Sequence, residues 1–315
     1  MIQLFKVQTL TTLPKFSNLL HDKIKVEVEE QVADYSGARY AVALSSATDA
    51  IFLCLKSLGK NVTCTVPSLT TTRFLNSIVY SGNQYEFVDD TGWVGNEYIL
   101  YKSENFQIID SAQRFDKWQF NKECSDDDLL IFSNYPTKPL GGLKGGFVVS
   151  NNKEKIEWIR QASHFGENFS TDSWKGKSNF IGWQMYMNSV EAYFVKEALK
   201  GYNEKRQRLD DIREMYRHEL QHYVMTGDSY HLFRIYVKDN EKFLRSMSGK
   251  GITCGIHYKP AHLNEVYNYG KGWACIDSEY AGRQIASIPF HDGLTNADVK
   301  TVIKAVKGFF KKNKT

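Results

Sequence analysis

A series of short apolar runs, each closing on a small polar or acidic residue, dictates the architecture of this chain. Tyr40-Ala-Val-Ala-Leu44 is unbroken, the pattern of a strand covered on both faces, and Ser45-Ser-Ala-Thr48 then opens a helical pattern through Ile51, Cys54, Leu55 and Leu58. The same grammar returns at Val62–Val66 before Pro67, Tyr85–Val88 before Asp89, Phe106–Ile109 before Asp110 and Leu129–Phe132 before Ser133, with a further strand at Gly146–Val149. Open α/β sheets bind ligands beyond the carboxyl ends of their strands, so Ser45, Asp110 and Ser133 are expected to converge on one crevice.

Around these strands the spacing predicts an amphipathic helix over Lys23–Tyr35 ending at Gly37, a short helix over Glu154–Ala162 and a long helical stretch over Val190–Tyr223. Beyond Asp228 it predicts a strand at His231–Val237, a helix at Asn240–Gly249, a strand at Ile252–His257 and a last helix at Asn296–Phe310, capped by Thr295 or Asn296. This divides the 315 residues into a large α/β domain, 1–210, with a mostly parallel sheet between helices, and a smaller C-terminal α+β domain, 211–315.

Composition limits the functions open to such a fold. With 42% hydrophobic residues and a net charge of +4, the chain is neither disordered nor basic enough to demand a nucleic-acid partner. Cysteines 54, 64, 124, 254 and 275 form no CxxC pair and read as reduced thiols of a cytoplasmic protein. No signal-peptide pattern opens the chain, and no stretch approaches the ~20 apolar residues of a membrane-spanning helix.

Ser133-Asn-Tyr-Pro-Thr-Lys138-Pro-Leu-Gly-Gly places one lysine in a loop between two buried strands, followed by Gly141, Gly142, Gly145 and Gly146. An amine held in a cleft has a lowered pKa and attacks carbonyls to form a Schiff base, the attachment used by pyridoxal phosphate enzymes. Such a cofactor needs an anion site, which Ala47 and Thr48 at a helix start supply with Ser133, and a carboxylate against its pyridine nitrogen, for which Asp110 is placed. Taken singly, each has a plainer role: Lys138 as a solvated loop residue, Thr48 as a cap and Asp110 as a turn former. Their joint placement at strand ends favours the site.

Taken together, Tyr40-Ala-Val-Ala-Leu-Ser-Ser-Ala-Thr-Asp-Ala-Ile51, Val66-Pro-Ser-Leu-Thr70, Phe87-Val-Asp89, Ile109-Asp-Ser-Ala-Gln113, Ser133 to Lys138, Gly145-Gly146, Arg160 with His164-Phe-Gly166, His257-Tyr-Lys-Pro-Ala-His262 and Ile288-Pro-Phe-His-Asp-Gly-Leu-Thr295 resemble the DegT/DnrJ/EryC1/StrS sugar aminotransferase family, in order, over residues 25 to 310. The resemblance implies a fold type I pyridoxal phosphate enzyme, a homodimer with shared active sites, that transfers an amino group from glutamate to a nucleotide-linked keto-deoxysugar. It implies that Lys138 carries the cofactor and shuttles the proton. Asp110 would face the pyridine nitrogen, Gln113 the phenolic oxygen, and Ala47, Thr48 and Ser133 the phosphate. Tyr135, His257 and Tyr258 fall in the segments expected to meet substrate. The Tyr135-to-Gly141 run leans toward 3-keto rather than 4-keto enzymes.

Four departures stand out. Ala47 replaces the family's usual glycine. Thr71 stands where an aromatic commonly stacks on the cofactor ring. Gln184 and Tyr186 replace the usual Asn and Arg, with Gln184 expected to reach a neighbouring subunit's phosphate. Only twenty residues separate Asp90 from Asp110, where the family has an additional strand and helix, so a sheet element is expected to be short or missing.

Two rival readings follow. A degenerate relative would bind a nucleotide sugar without turnover, against which Lys138, Asp110 and Gln113 stand, and deoxygenating relatives carry histidine in place of the lysine. His218-Glu-Leu-Gln-His222 fits the zinc-peptidase pattern HExxH but lacks a third ligand signature, and no metal is expected. No GxGxxG or GxxxxGK occurs. Trp174, Phe180, Trp183, Tyr186 and Tyr193 fit a subunit contact surface as well as ordinary core, and aromatics near Trp158, Phe169 and Trp174 read as interface or core rather than nucleic-acid contacts.

Overall fold

A computed structural model describes residues 1–10, 12–168, 177–223, 229–269 and 271–313, so Phe169 and Trp174 lie outside the described residues. Helix α1 (Ile24–Ser36) buries Ile24, Val28 and Val32 on one face and stops at Gly37, whose φ of 82° lets its N–H cap Ala33 and Asp34. β1 (Tyr40–Leu44) leads into α2 (Ala47–Ser57), capped by Ser46 accepting from the Asp49 N–H. β2 (Thr63–Pro67), α3 (Leu75–Tyr80) and β3 (Gln84–Val88) form a crossover unit. β4 (Tyr98–Lys102), β5 (Gln107–Asp110), α4 (Gln119–Glu123), β6 (Leu129–Ser133), β7 (Gly146–Ser150) and α5 (Lys153–Ser163) complete the sheet region.

The chain is α/β, as expected, but its sheet is mixed rather than mostly parallel. Strand order is β1-β7-β6-β5-β4, with a separate β2-β3 ribbon. β5 with β6, and β2 with β3, are parallel, while β7 runs antiparallel to β1 and β6 and β4 antiparallel to β5. The reason is connection length: Asn134–Gly145 joins β6 to β7 without a helix, and the turn at Ser103–Phe106 joins β4 to β5 directly, so neither pair has the crossover that parallel neighbours need. Where a sheet element was expected to be short or missing, the segment forms β4, five residues long and antiparallel to β5.

Alternation along each strand feeds two cores. Val42, Leu44, Ile131 and Val148 join one cluster with α2, α3 and α5, while Ala41, Ala43, Leu130, Phe132, Phe147 and Val149 join another with α1. Each fully buried Leu, Ile or Val contributes about 1.5–3 kcal/mol, so both faces of the sheet are anchored.

The long helical stretch is two helices, α6 (Ser189–Lys200) and α7 (Tyr202–Leu220), because Gly201 interrupts it. A third core joins α7 to β8 (Phe233–Tyr236), α8 (Asn240–Ser248) and the C-terminal elements. The strand expected at Ile252–His257 is not formed: Gly251 and Gly255 interrupt it, and only single bridges link Ile252 to Ile2 and Gly255 to Ser287. After the short α9 (Glu265–Asn268) and α10 (Ile276–Gln284), β9 (Ile285–Ile288) pairs with β8 instead. α11 (Asn296–Lys312) begins with a capping box between Thr295 and Asp298. We propose that the two-domain division falls within α7, since Leu209 onward packs in the third core; Ala261, Cys275 and Ala281 nonetheless return to the first.

Candidate active site

β1, β5 and β6 run in the same direction, so Ser45, Asp110 and Ser133 lie at the same edge of the sheet, although only Asp110 and Ser133 line the cavity and Ser45 donates to Asp49 instead. There a cavity of about 560 Å³ is lined by Ala47, Thr48, Thr71, Asp110, Gln113, Ser133, Tyr135, Lys138, His257 and Tyr258. Gln184 is not among the lining residues: it is exposed and donates to the Tyr186 hydroxyl at 3.3 Å.

An anion cradle forms where α2 begins. Ser46 satisfies the Asp49 N–H, and the Ala47 and Thr48 N–H groups have no hydrogen-bond partner among the described residues. β7 passes close beside them: a Cβ on Gly146 would sit 2.4 Å from Ala47 N, so only glycine lets the strand approach. Ser133 borders the same space and accepts from the Tyr135 N–H at 3.3 Å.

Asp110 is 4% exposed. Its Oδ2 accepts from the Tyr98 hydroxyl and its Oδ1 from the Ala112 N–H, each at 2.9 Å. Burial pushes its pKa up, against these hydrogen bonds and the Lys138 charge, which favour the ionised form. Lys138, partly buried, is pushed down to about 8 by burial, with Asp110 opposing the shift. The pair thus holds a nucleophilic amine near neutrality beside a buried carboxylate. In cofactor-free protein, acylation at Lys138 followed by peptide mass spectrometry is expected to be half-maximal near pH 8, and at lower pH in Asp110→Asn; a midpoint like that of exposed lysines, about 10.4, would contradict this.

Beside the expected His257 and Gln113, the cavity recruits Trp93, Phe5, His231, Arg73 and Lys144, which sequence reading passed over. Trp93 stacks on Tyr258 (6.3 Å between centroids, 10° between planes) and donates to the Leu69 carbonyl at 3.2 Å, giving an aromatic face on a cavity where Thr71 gives none. His231 stacks on Phe5 (5.6 Å, 17°), and burial followed by the Lys138 charge holds it neutral. His257 is pushed down to about 4, mainly by burial, and its Nδ1 pairs with Ser287 Oγ at 2.9 Å. Gln113 accepts the Gly95 N–H at 2.9 Å, which fixes its amide and leaves its NH2 group for the cavity. Arg73 and Lys144 line the cavity without an ion pair to any described residue. Phe5 and His231 come from distant segments and carried no local signal.

The HExxH reading fails on geometry. α7 ends at Leu220, so His222 lies past the helix and does not share a face with His218. Glu219 is paired with Lys307 and with His218. His262 is engaged with Ser68 Oγ at 2.5 Å. The aromatics expected at a subunit surface pack within their own chain: Phe180 on Trp158, Trp183 on Phe52, Tyr186 on His164 and Tyr193 on Phe16.

Residues 5–94 and 104–307 match the model of the DegT/DnrJ/EryC1/StrS aminotransferase family. The chain is 27% identical to the UDP-4-amino-4,6-dideoxy-N-acetyl-beta-L-altrosamine transaminase of Campylobacter jejuni, across 94% of this chain and 92% of that protein. In fold it is similar to the aminotransferase TlmJ from Streptoalloteichus hindustanus, with a TM-score of 0.84 at 18% identity over 100% of both chains. It is also similar to the PLP form of the sugar aminotransferase Spr1654 from Streptococcus pneumoniae, with a TM-score of 0.78 at 19% identity over 93% of each chain.

Proposed function

From a chain that belongs to the DegT/DnrJ/EryC1/StrS aminotransferase family, we propose an enzyme that holds pyridoxal phosphate on Lys138 and moves an amino group from glutamate to a keto group of a nucleotide-linked deoxysugar. The observation that carries this reading is the Lys138–Asp110 pair beside the α2 anion cradle in one cavity. The residues present suit the cofactor: two unpaired N–H groups and the Ser133 hydroxyl for its phosphate, a buried carboxylate for its pyridine nitrogen, and an amine of lowered pKa for its carbonyl. When bound, the cofactor supplies that carbonyl and an electron sink.

The protein's own groups do the rest. Ala47, Thr48 and Ser133 bind the phosphate and fix its orientation. Asp110 stays ionised and holds a proton at the pyridine nitrogen. In the first half-reaction Lys138 Nζ would take the proton from the amine-bearing carbon of the donor and deliver it to the cofactor's former carbonyl carbon, and in the second it would carry a proton from that carbon to the sugar carbon that receives the amine. Its lowered pKa suits it to both duties near neutral pH. His231 and His257, held neutral, add no positive charge that would lower the lysine further.

Charge supports the substrate class. Lys138, Arg73 and Lys144 line the cavity against the single carboxylate of Asp110, a balance that draws in anions such as glutamate and a nucleotide diphosphate. The Campylobacter relative is named for a 4-amino UDP-sugar, so the acceptor panel must include 4-keto as well as 3-keto sugars. Incubating the cofactor-loaded protein with ¹⁵N-glutamate and such a panel should place ¹⁵N on one sugar with equal release of 2-oxoglutarate. Tight binding of a nucleotide sugar with no label transferred would favour the degenerate binder.

The active unit is a homodimer in the cytoplasm. Five free cysteines suit a reducing compartment, and among the described residues no helix is long and apolar enough to cross a membrane. Gln184, exposed and outside the cavity of its own chain, is the group available to a partner's phosphate. Mixing a Gln184→Ala variant with a Lys138→Ala variant is expected to restore about a quarter of wild-type activity, because random exchange makes half the dimers hybrid and one site in each of those whole. Exchange without recovery would rule out the shared site.

A further inference from the structure

The stretch between Asp90 and Asp110 builds one side of the active site in a way particular to this chain. The turn at Ser103–Phe106 folds β4 back onto β5 in a register that sets Tyr98 directly opposite Asp110. Residues opposite one another in an antiparallel pair project on the same face, so the two side chains meet. The Tyr98 hydroxyl donates to Asp110 Oδ2 at 2.9 Å. Tyr98 is 7% exposed, and its ring packs edge-on against Trp93 at 5.0 Å. The same segment sends the Gly95 N–H to Gln113. The family match breaks at residues 95–103, which include Tyr98.

We infer that Tyr98 is a positioning residue for the cofactor, holding the Asp110 carboxylate in the orientation and the ionised state in which it meets the pyridine nitrogen. The inference rests on the reading that Asp110 performs that task. Asp110 is otherwise a poor anion. It is buried, and besides Tyr98 only the Ala112 N–H and the charge of Lys138 favour its ionised form. Cys64 and Tyr258, the other titratable groups whose fields reach Tyr98 and Asp110, carry thiol and phenol pKa values raised by burial, so neither supplies a charge at neutral pH. A hydrogen bond from a neutral hydroxyl to a buried carboxylate is among the stronger kinds, and here it comes from a strand paired directly with the one that carries Asp110.

Tyr98→Phe keeps the ring and its packing and removes only the donor. The test measures the dissociation constant of pyridoxamine 5′-phosphate, which cannot bond covalently to Lys138, by fluorescence across pH 5.5–8.5 (about one and a half units either side of neutrality, where a raised carboxylate pKa is visible). It compares the full-length protein with Tyr98→Phe, Asp110→Asn and the double variant. Tyr98→Phe is expected to bind about tenfold more weakly at neutral pH, with the loss of affinity on the acid side beginning at higher pH than in wild type, because the carboxylate then protonates more readily. In the Asp110→Asn background the same change should alter affinity by less than about twofold, since Tyr98 acts through the carboxylate. A similar loss in both backgrounds, or unchanged binding and pH profile in Tyr98→Phe when Asp110→Asn binds weakly, would overturn the inference alone. Wild-type binding by Asp110→Asn would overturn the role of Asp110 and this inference with it.

Discussion

Lys138→Ala is expected to lower turnover by about 10⁴-fold or more while leaving the fold and most of the cofactor affinity in place. A positioned acid–base group contributes about 10²–10⁴-fold by itself, and this lysine has a second duty as the cofactor's covalent anchor. No other amine in the cavity matches its setting: Arg73 is a guanidinium that does not deprotonate, and Lys144 is exposed. Affinity is retained because the groups assigned to the phosphate and pyridine nitrogen, Ala47, Thr48, Ser133 and Asp110, are untouched. The measurement is single-turnover kinetics of each half-reaction, with circular dichroism confirming the fold. A variant that retains more than about a hundredth of wild-type rate would assign the proton transfer to another group.

Asp110→Asn is expected to reduce turnover by at least about 10²-fold, since a neutral amide cannot hold a proton at the pyridine nitrogen. Folding should be little disturbed. The amide is nearly isosteric, its oxygen still accepts from the Ala112 N–H, and removing a buried carboxylate relieves a desolvation penalty. The pH behaviour has a definite sign. Asp110 raises the Lys138 pKa, so its loss shifts the amine's titration below about 8 and makes more of it neutral at pH 7. Greater amine reactivity at Lys138 alongside slower turnover is thus the expected signature. Half-reaction rates near wild type would show that another carboxylate serves the ring nitrogen.

How much of this was legible beforehand follows from the range of each signal. Tyr40–Leu44, Leu129–Phe132 and Gly146–Val149 announce themselves because strands buried on both faces need unbroken apolar runs, and the structure places all three there. Strand ends and helix starts are local too, so Asp110, Ser133, Ala47 and Thr48 could be brought to one edge from sequence. Direction within the sheet was not legible, because it depends on whether a connection leaves room for a crossover. The short Asp90–Asp110 stretch suggested a short or missing element, and its length gave no hint that the remaining residues would fold back as a hairpin on β5. Tyr98, Trp93, Phe5 and His231 reach the site only through that hairpin and through packing between remote segments. The false strand at Ile252–His257 had the right apolar residues, yet Gly251 and Gly255 give a ladder little to pack, and Ile285–Ile288 took the place beside β8. Gln184 was expected at a neighbouring subunit's phosphate, and its exposed position in the single chain leaves it free for that contact.

The most direct measurement of the central claim is chemical. The protein is loaded with pyridoxal phosphate, reduced with borohydride, digested and mapped by mass spectrometry. A reduced pyridoxyl phosphate group on Lys138, and its absence when the protein is first converted with glutamate to the amine form, is the predicted result. A label on a different lysine, or no stable label at all on protein that has bound the cofactor, would contradict the assignment of this cavity and of Lys138.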